Sequence, residues 1–382
     1  MKTKILYLIN SLKSAGAERV VLNIAKYINK DKFEPIITYF EPWHSLRKKF
    51  EDLGILTYCL NIRNKLDPTG LLKLIHILRR EKPKILHTHL PYAGIIGRLI
   101  GRFVGIPCII STQHNVPTSF KRITYLLDKV TLPMADLVTC VSEGIEEQLF
   151  SSVYVFTGHE KYKKHLTLWN GIDFEEIDKI KNSPDNLNCK KWKHKRIVLM
   201  PGRLLKWKGQ HILLKAWPEV KKKIKNACLL IVGDGPEKNN LRQMIQDLAI
   251  SESVRLLGER TDIYSLMKIA EVVVTPYYYK GLFHGEGVGL VVLEGMAMGK
   301  VVISSKVPNI EKAIEHRITG LLFPQGDYKT LAGLIIEVLE NSEFAKFIGR
   351  NARKRAKERF DAKVMAYRYE ILYKSILEEK NA

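Results

Sequence analysis

The chain has 382 residues, 46% apolar and 27% charged, and its 62 Lys and Arg against 40 Asp and Glu give a net charge of +22. That length suits two domains of ordinary size, and the balance excludes disorder, collagen and coiled coil. The basic excess runs through both halves of the chain; it favours anionic partners such as nucleotides, phospholipid surfaces or nucleic acid, or else marks only a solvated lysine-rich surface.

In chain order, the apolar run at residues 5–9 predicts a buried first strand. It is too short for a signal-peptide core, and no small-residue cleavage site follows it. Val20, Ile24, Tyr27 and Ile28 then share one helical face, and residues 36–40 predict the next strand. Asp67-Pro68 caps and starts a helix carrying Leu71, Leu72, Ile75 and Leu78. Residues 85–87, 108–112 and 137–141 are further strands. The alternation stops between about Phe150 and Lys195, in a stretch rich in Ser, Gly, Asn and Lys, which marks a domain boundary. A second series follows, with strands at 197–200, 228–232, 254–257, 272–275 and 301–304 and helices such as 237–248 and 290–298. A last helix spans about 361–379. Alternation of this kind implies parallel sheets covered by helices, so two series imply an α/β chain of two Rossmann-like domains around a cleft. The expected division is 1–176, with 361–382 crossing back to it, and 177–360.

Five cysteines, at 59, 108, 140, 189 and 228, stand apart with no CxxC pair. They predict neither a disulfide framework nor a zinc site, but reduced thiols of a cytoplasmic protein. No apolar run reaches the roughly 18 residues of a membrane helix, so any membrane attachment is expected to be peripheral.

The densest chemical signal is His284-Gly285-Glu286-Gly287-Val288-Gly289-Leu290, which runs into an apolar helical stretch containing Glu294. Glycines allow close backbone approach, and the amides at the start of the helix suit a phosphate. Glu286 and Glu294 can then meet sugar hydroxyls on either side of a diphosphate. Arg203 and Lys208 follow the first strand of the second series, where open α/β sheets bind ligands; a guanidinium fork and a point charge together neutralise a diphosphate. The small-residue turn Ser14-Ala15-Gly16 after the first strand suits ligand approach, but it lacks the GxGxxG fingerprint of a dehydrogenase. His87, His89 and His114 end first-domain strands, where a histidine can bond a sugar or move a proton. His87 and His89 have metal-pair spacing, but no third ligand stands near, so no metal is expected.

These residues resemble the retaining GT-B glycosyltransferases of glycosyltransferase family four (glycosyl transferases group 1). The resemblance covers nearly the whole chain. It rests on Gly16-Ala17-Glu18-Arg19, His87-Thr88-His89, Thr112-Gln113-His114-Asn115, Val141-Ser142-Glu143, Asn170-Gly171-Ile172-Asp173, Gly202-Arg203 with Lys208-Gly209, Gly233-Asp234-Gly235-Pro236, the Glu286–Glu294 pair and Thr319-Gly320-Leu321-Leu322-Phe323-Pro324. It implies a GT-B fold with a final helix returning to the first domain. It also implies transfer of a hexose from a UDP- or GDP-sugar to a glycan or lipid-linked hydroxyl with retention, without cofactor. By resemblance, Arg203 and Lys208 hold the diphosphate, Glu286 the hexose and Glu294 the ribose. The amides of Val288, Gly289 and Leu290 cradle phosphate and sugar, Gly16 closes over the phosphates, and His114 lies near the anomeric centre. His89 is an acceptor-side candidate. There is no Asp-x-Asp motif, so cations and helix amides must stabilise the leaving group, and front-face attack fits the family.

The sequence departs from the family at Ala15, at Val288 where Phe is usual, and at Lys306-Val307-Pro308-Asn309 where glycines are usual. The segment Tyr277-Tyr278-Tyr279-Lys280-Gly281-Leu282-Phe283 is unusually aromatic. Two other readings are a nucleotide-sugar epimerase on the same fold and a non-catalytic sugar-nucleotide binder. Nucleic acid is not expected, because few aromatics interleave with the basic runs. Arg47-Lys48-Lys49-Phe50 near Trp43, and Phe120-Lys121-Arg122 near Tyr125-Leu126-Leu127, are expected to face the inner surface of a cell membrane, where a lipid-linked acceptor would wait.

Overall fold

Short apolar runs form strands, and the periodic stretches between them form helices, in the computed structural model, which describes residues 2–62, 67–116, 121–184, 192, 194–279 and 287–381. The chain divides into two compact units. The first opens with β1 (Thr3–Ile9), α1 (Gly16–Tyr27), β2 (Phe33–Tyr39), α2 (Arg47–Glu51), β3 (Leu56–Cys59) and α3 (Pro68–Glu81). It continues through β4 (Ile85–His89), α4 (Pro91–Val104), β5 (Cys108–Gln113), α5 (Arg122–Thr131), β6 (Leu137–Cys140), α6 (Glu143–Phe150) and β7 (His165–Thr167). Its seven strands are all parallel, in the order β3-β2-β1-β4-β5-β6-β7.

The second unit holds α7 (Phe174–Asn182), β8 (Arg196–Pro201), α8 (Gln210–Lys223), β9 (Ala227–Val232), α9 (Lys238–Asp247), β10 (Val254–Leu256), α10 (Ile263–Ile269) and β11 (Val272–Thr275). It ends with α11 (Leu290–Ala297), β12 (Val301–Ser305), α12 (Pro308–Ala313), β13 (Leu321–Phe323), α13 (Tyr328–Glu340) and α14 (Ser342–Phe360). Its sheet is parallel in the order β10-β9-β8-β11-β12-β13. The last helix, α15 (Ala362–Asn381), belongs to the first unit. The cut falls between Gly171 and Ile172 rather than at 176/177. The reason is local: the Ile172 amide donates to Phe360 O at 2.7 Å, and Asp173 caps α7, whose Phe174 and Ile177 are buried. Each sheet is thus a doubly wound α/β layer, as the strand–helix alternation predicts.

Successive strand residues point to opposite faces. In the first unit, Leu6, Leu8, Leu86 and Ile109 pack with Leu74 and Leu78 of α3 and Ala93 of α4. Helix α4 lies close to the strands because Gly97 has no side chain; a Cβ there would stand 2.5 Å from Thr88 Cγ2. On the same helix Arg98 is completely buried, and it pairs with Asp128 of α5 at 2.6 Å while also donating to Ser111 and Thr131. Such a pair offsets its desolvation only when its remaining donors are bonded, as here.

The other face carries Tyr7, His87, Thr112 and Thr139, and it is covered by the helix from the far end of the chain. Tyr373 OH lies 2.7 Å from His87 Nδ1 and 3.2 Å from Tyr7 OH. His87 Nε2 meets Thr112 Oγ1 at 2.6 Å, and Thr112 meets Thr139 at 2.6 Å. Tyr369, one helical turn before Tyr373, approaches both threonines at 3.3–3.4 Å. The second unit has a drier core: Val198, Leu229, Val274 and Ile303 against Trp217 and Ile335.

Tyr373→Phe should destabilise the protein by about 1–3 kcal/mol, because His87 Nδ1 is left buried without its partner. Urea denaturation measures this. Tyr367→Phe on the same helix, 62% exposed, should stay within about 0.5 kcal/mol.

Candidate functional site

An open parallel sheet binds ligands at the carboxyl ends of its strands, where the strand order reverses. In the second unit the reversal lies between β8 and β11, and in the first between β1 and β4. The loops leaving those four strands carry most of the candidate residues.

After β8, the backbone of Arg203 is held by its neighbours: Gln210 Nε2 donates to Arg203 O at 2.9 Å, and the Leu204 amide donates to Asp234 O at 3.0 Å. Its side chain is exposed. Two glycines allow this packing. Gly233 has φ +133°, and a Cβ there would lie 2.1 Å from Gly202 O; Gly209 has φ +76°, and a Cβ there would lie 1.7 Å from Pro276 O. The loops after β8, β9 and β11 therefore interlock backbone against backbone. Lys208 Nζ sits 4.2 Å from the Trp207 ring centroid and 5.0 Å from that of Tyr277. Trp207, Tyr277 and Tyr279 form one cluster with centroids 5.8–6.1 Å apart. The aromatic segment thus builds a wall beside the lysine, and cation–π attraction orients the ammonium.

After β11, Val288 is buried, Gly289 caps α11 at φ 70°, and Leu290 is the first helical residue. Glu294 is 4% exposed, and its Oε1 accepts from Tyr264 OH of α10 at 3.0 Å. Tyr264 carried no sequence signal, since it reaches Glu294 only through the fold. Glu286 and His284 lie outside the described residues.

In the first unit, Gly16 is the exposed first residue of α1, at the carboxyl end of β1. Ser11 donates to Glu18 Oε1 at 3.1 Å, and burial pushes the Glu18 carboxyl above its ordinary pKa. His89 ends β4, with its Nδ1 2.9 Å from His114 Nε2 just beyond β5. His89 is 0% exposed and His114 half-buried. His89, the acceptor-side candidate, is thus buried behind its contact with His114. Burial pushes His87 and His114 down to about 3, and takes His89 well below the ordinary histidine value. All three rings are neutral near pH 7. Leu90, next in the chain, has φ 73° and ψ 153°, a region that costs a non-glycine residue about 1–3 kcal/mol. Such strain collects at functional sites.

The second unit's edge therefore offers cations and helix-start amides, suited to a diphosphate, with a buried carboxylate one helical turn further on. The first unit's edge offers uncharged imidazoles. Among the described residues, no group of three His, Cys, Asp or Glu is placed to hold a metal ion.

Two family descriptions match the chain: glycosyltransferase family 4 over residues 14–154 and glycosyl transferases group 1 over residues 186–355. The capsular polysaccharide biosynthesis glycosyltransferase CapM of Staphylococcus aureus is 26% identical, over 82% of this chain and 82% of its own length. The UDP-Gal:alpha-D-GlcNAc-diphosphoundecaprenol alpha-1,3-galactosyltransferase of Escherichia coli is 26% identical, over 86% of this chain and 85% of its own. Anabaena Alr3699/HepE, solved in complex with UDP and glucose, shares the fold at TM-score 0.81 and 22% identity, covering 98% of this chain and 100% of that one.

The buried histidines dictate a pH response. His87 and His114 fall from the ordinary 6.5 to about 3 in the folded chain. Between those values the unfolded state binds more protons, so stability rises with pH there. Their contribution is fully present above pH 6.5 and is lost as pH falls towards 3. The slope is on the order of 1 kcal/mol per pH unit per histidine. Urea midpoints at pH 7, 6, 5 and 4 should fall steadily, and the fall should be shallower in His87→Gln.

Proposed function

Because the chain belongs to the family 4 glycosyltransferases of group 1, we propose that it moves a hexose from a nucleoside diphosphate sugar to a hydroxyl of a glycan or lipid-linked acceptor, with retention and without a metal. The observation that carries this is the pairing of Arg203 and Lys208 after β8 with the start of α11 after the adjacent β11. As the glycosidic bond breaks, negative charge grows on the leaving diphosphate. Fixed cations and amides aimed there are worth far more than water. Glu294 accepts from the ribose hydroxyls, with its carboxylate oriented by Tyr264. The acceptor hydroxyl attacks from the face the diphosphate leaves, and the departing phosphate oxygen takes its proton. Glu286 belongs to the hexose by the same reading. The UDP held by the Anabaena relative makes a uridine donor the first to try.

A lipid-linked acceptor at an anionic membrane surface is the favoured substrate class. The Escherichia coli relative is named for a diphosphoundecaprenol acceptor. In this chain α5 is inverted: Asp128 and Thr131 are buried, while Ile123, Leu126, Leu127 and Val130 are 48–70% exposed. Phe103 of α4 adds a ring 71% exposed. The exposed charges of that stretch, Lys121, Arg122 and Lys129, are all basic. In the other expected patch Phe50 of α2 is 0% exposed, while Trp43 stays 56% exposed. No helix among the described residues is long and apolar enough to cross a membrane, and the attachment proposed is peripheral.

With a panel of UDP- and GDP-sugars, the donor that is turned over should lose about 10²–10³ in rate in Arg203→Ala and in Lys208→Ala. Full turnover in both variants refutes the assignment. The rate should persist in EDTA, and its loss with recovery on adding magnesium would refute metal independence. In flotation, the protein should rise with anionic vesicles at low salt but not at high salt, and Leu126→Glu with Val130→Glu should abolish this. Absence from anionic vesicles at low salt removes the membrane reading and leaves the transfer reading intact.

A further inference from the structure

We propose that His89 is a positioning residue that fixes His114 as its Nδ1–H tautomer, so that His114 meets the donor sugar as a hydrogen-bond donor and not as a base. The functional part rests on the reading above that the chain binds a nucleotide sugar, but the proton placement itself follows from the first unit alone.

The two rings meet nitrogen to nitrogen: His89 Nδ1 and His114 Nε2 are 2.9 Å apart, with their planes tilted by 39°. One proton must lie between them, because two bare lone pairs repel. A neutral imidazole carries one N–H and one acceptor nitrogen, so there are two arrangements. In the first, His114 Nε2–H donates to His89 Nδ1, and the proton of His89 then sits on Nε2. That nitrogen is buried with no hydrogen-bond partner, and an orphaned buried N–H is the rarer and costlier defect. In the second, His89 Nδ1–H donates to His114 Nε2. Only an acceptor lone pair is then left in the core, and the proton of His114 is displaced to Nδ1. The second arrangement is the one the burial selects.

The surroundings hold it there. His89 packs 4.2 Å from His87 by ring centroids, and His87 is itself fixed at both nitrogens by Tyr373 and Thr112. Leu90 fixes the backbone immediately after His89 in its left-handed conformation. Turning either ring over breaks the bond between them. Imidazole in water favours the Nε2–H form, so the fold imposes the less common tautomer on His114. Its Nδ1 has no bonded partner among the described residues. An N–H there donates to a sugar hydroxyl or to the oxygen that gains charge as the bond to the anomeric carbon breaks. It cannot take the acceptor's proton, which leaves that proton to the departing phosphate.

The test uses the full chain labelled with ¹⁵N-histidine, without donor or acceptor. Multiple-bond ¹H–¹⁵N spectra assign the protonated nitrogen of each ring, with His114→Gln identifying its signals. The expected result is Nδ1–H on both His89 and His114, with a scalar coupling across the His89 Nδ1–H···Nε2 His114 bond. A proton on Nε2 of His89, or on Nε2 of His114, overturns the proposal in the wild-type protein alone. In His89→Leu, His114 should revert towards Nε2–H, and kcat should fall about tenfold to a hundredfold with KM for the donor little changed. Persistence of Nδ1–H on His114 in that variant also overturns it. If wild-type protein turns over no nucleotide sugar while the spectra are as expected, the functional reading fails and the proton placement stands.

Discussion

The Tyr373 hydroxyl, 2.7 Å from His87 Nδ1, is the contact on which the first unit depends. Its two residues are 286 positions apart in the chain. Until that bond forms, the face of the sheet that carries Tyr7, His87, Thr112 and Thr139 is uncovered, and these four polar side chains lack the partners that α15 brings. A buried polar network stabilises only when complete, so α15 must dock in one register: Tyr369 over the two threonines and Tyr373 over the histidine. The first unit therefore cannot finish folding before the last residues of the chain exist. Closing so long a loop costs only logarithmically more than closing a short one, but contacts of high sequence separation are slow to form.

The same network reaches the strand-end surface. His87 packs against His89 with the rings tilted by 37°, and His89 is bonded to His114. The second unit reaches an equivalent rigidity by other means. There, Gly209 against Pro276 and Gly233 against Gly202 bring three loops into backbone contact, and the exposed Arg203 side chain extends from a main chain bonded on both sides. One unit positions its edge through buried hydrogen bonds, the other through missing side chains.

The period of the apolar residues was enough to place the two parallel sheets, because each long strand is a run of buried aliphatic residues. The short strands β3, β7 and β13 were not legible. Leu56-Thr57-Tyr58-Cys59 is partly exposed at the sheet edge, and three-residue strands such as Leu321–Phe323 carry no period. Of the candidate site, the positions of Arg203, Lys208 and Gly289–Glu294 beyond strand ends follow from the strand–helix alternation, which places the loops after β8 and β11. Tyr264 could not be read, since nothing local marks a tyrosine thirty residues before its carboxylate. The burial of His89 was hidden for a related reason: a histidine at a strand end faces solvent or core depending on which helix covers that face. Here the covering helix comes from the other end of the chain. The inversion of α5 was half visible in its apolar run; that Asp128 points inward became intelligible only with Arg98 beneath it.

The candidate groups at the two edges differ, and the difference bears on the chemistry. At the strand ends of the second unit the notable groups are a guanidinium, an ammonium and helix-start amides. At those of the first unit they are imidazoles that burial keeps neutral and a carboxyl, Glu18, whose pKa burial raises. Three histidines held below their ordinary pKa supply no cation, and the exposed Lys13 in the loop leaving β1 lies 3.8 Å from Glu41. A site that had to abstract a proton would need a base whose conjugate acid is tolerated, and burial penalises that imidazolium too. What neutral, fixed imidazoles do well is donate and accept hydrogen bonds without reorganising.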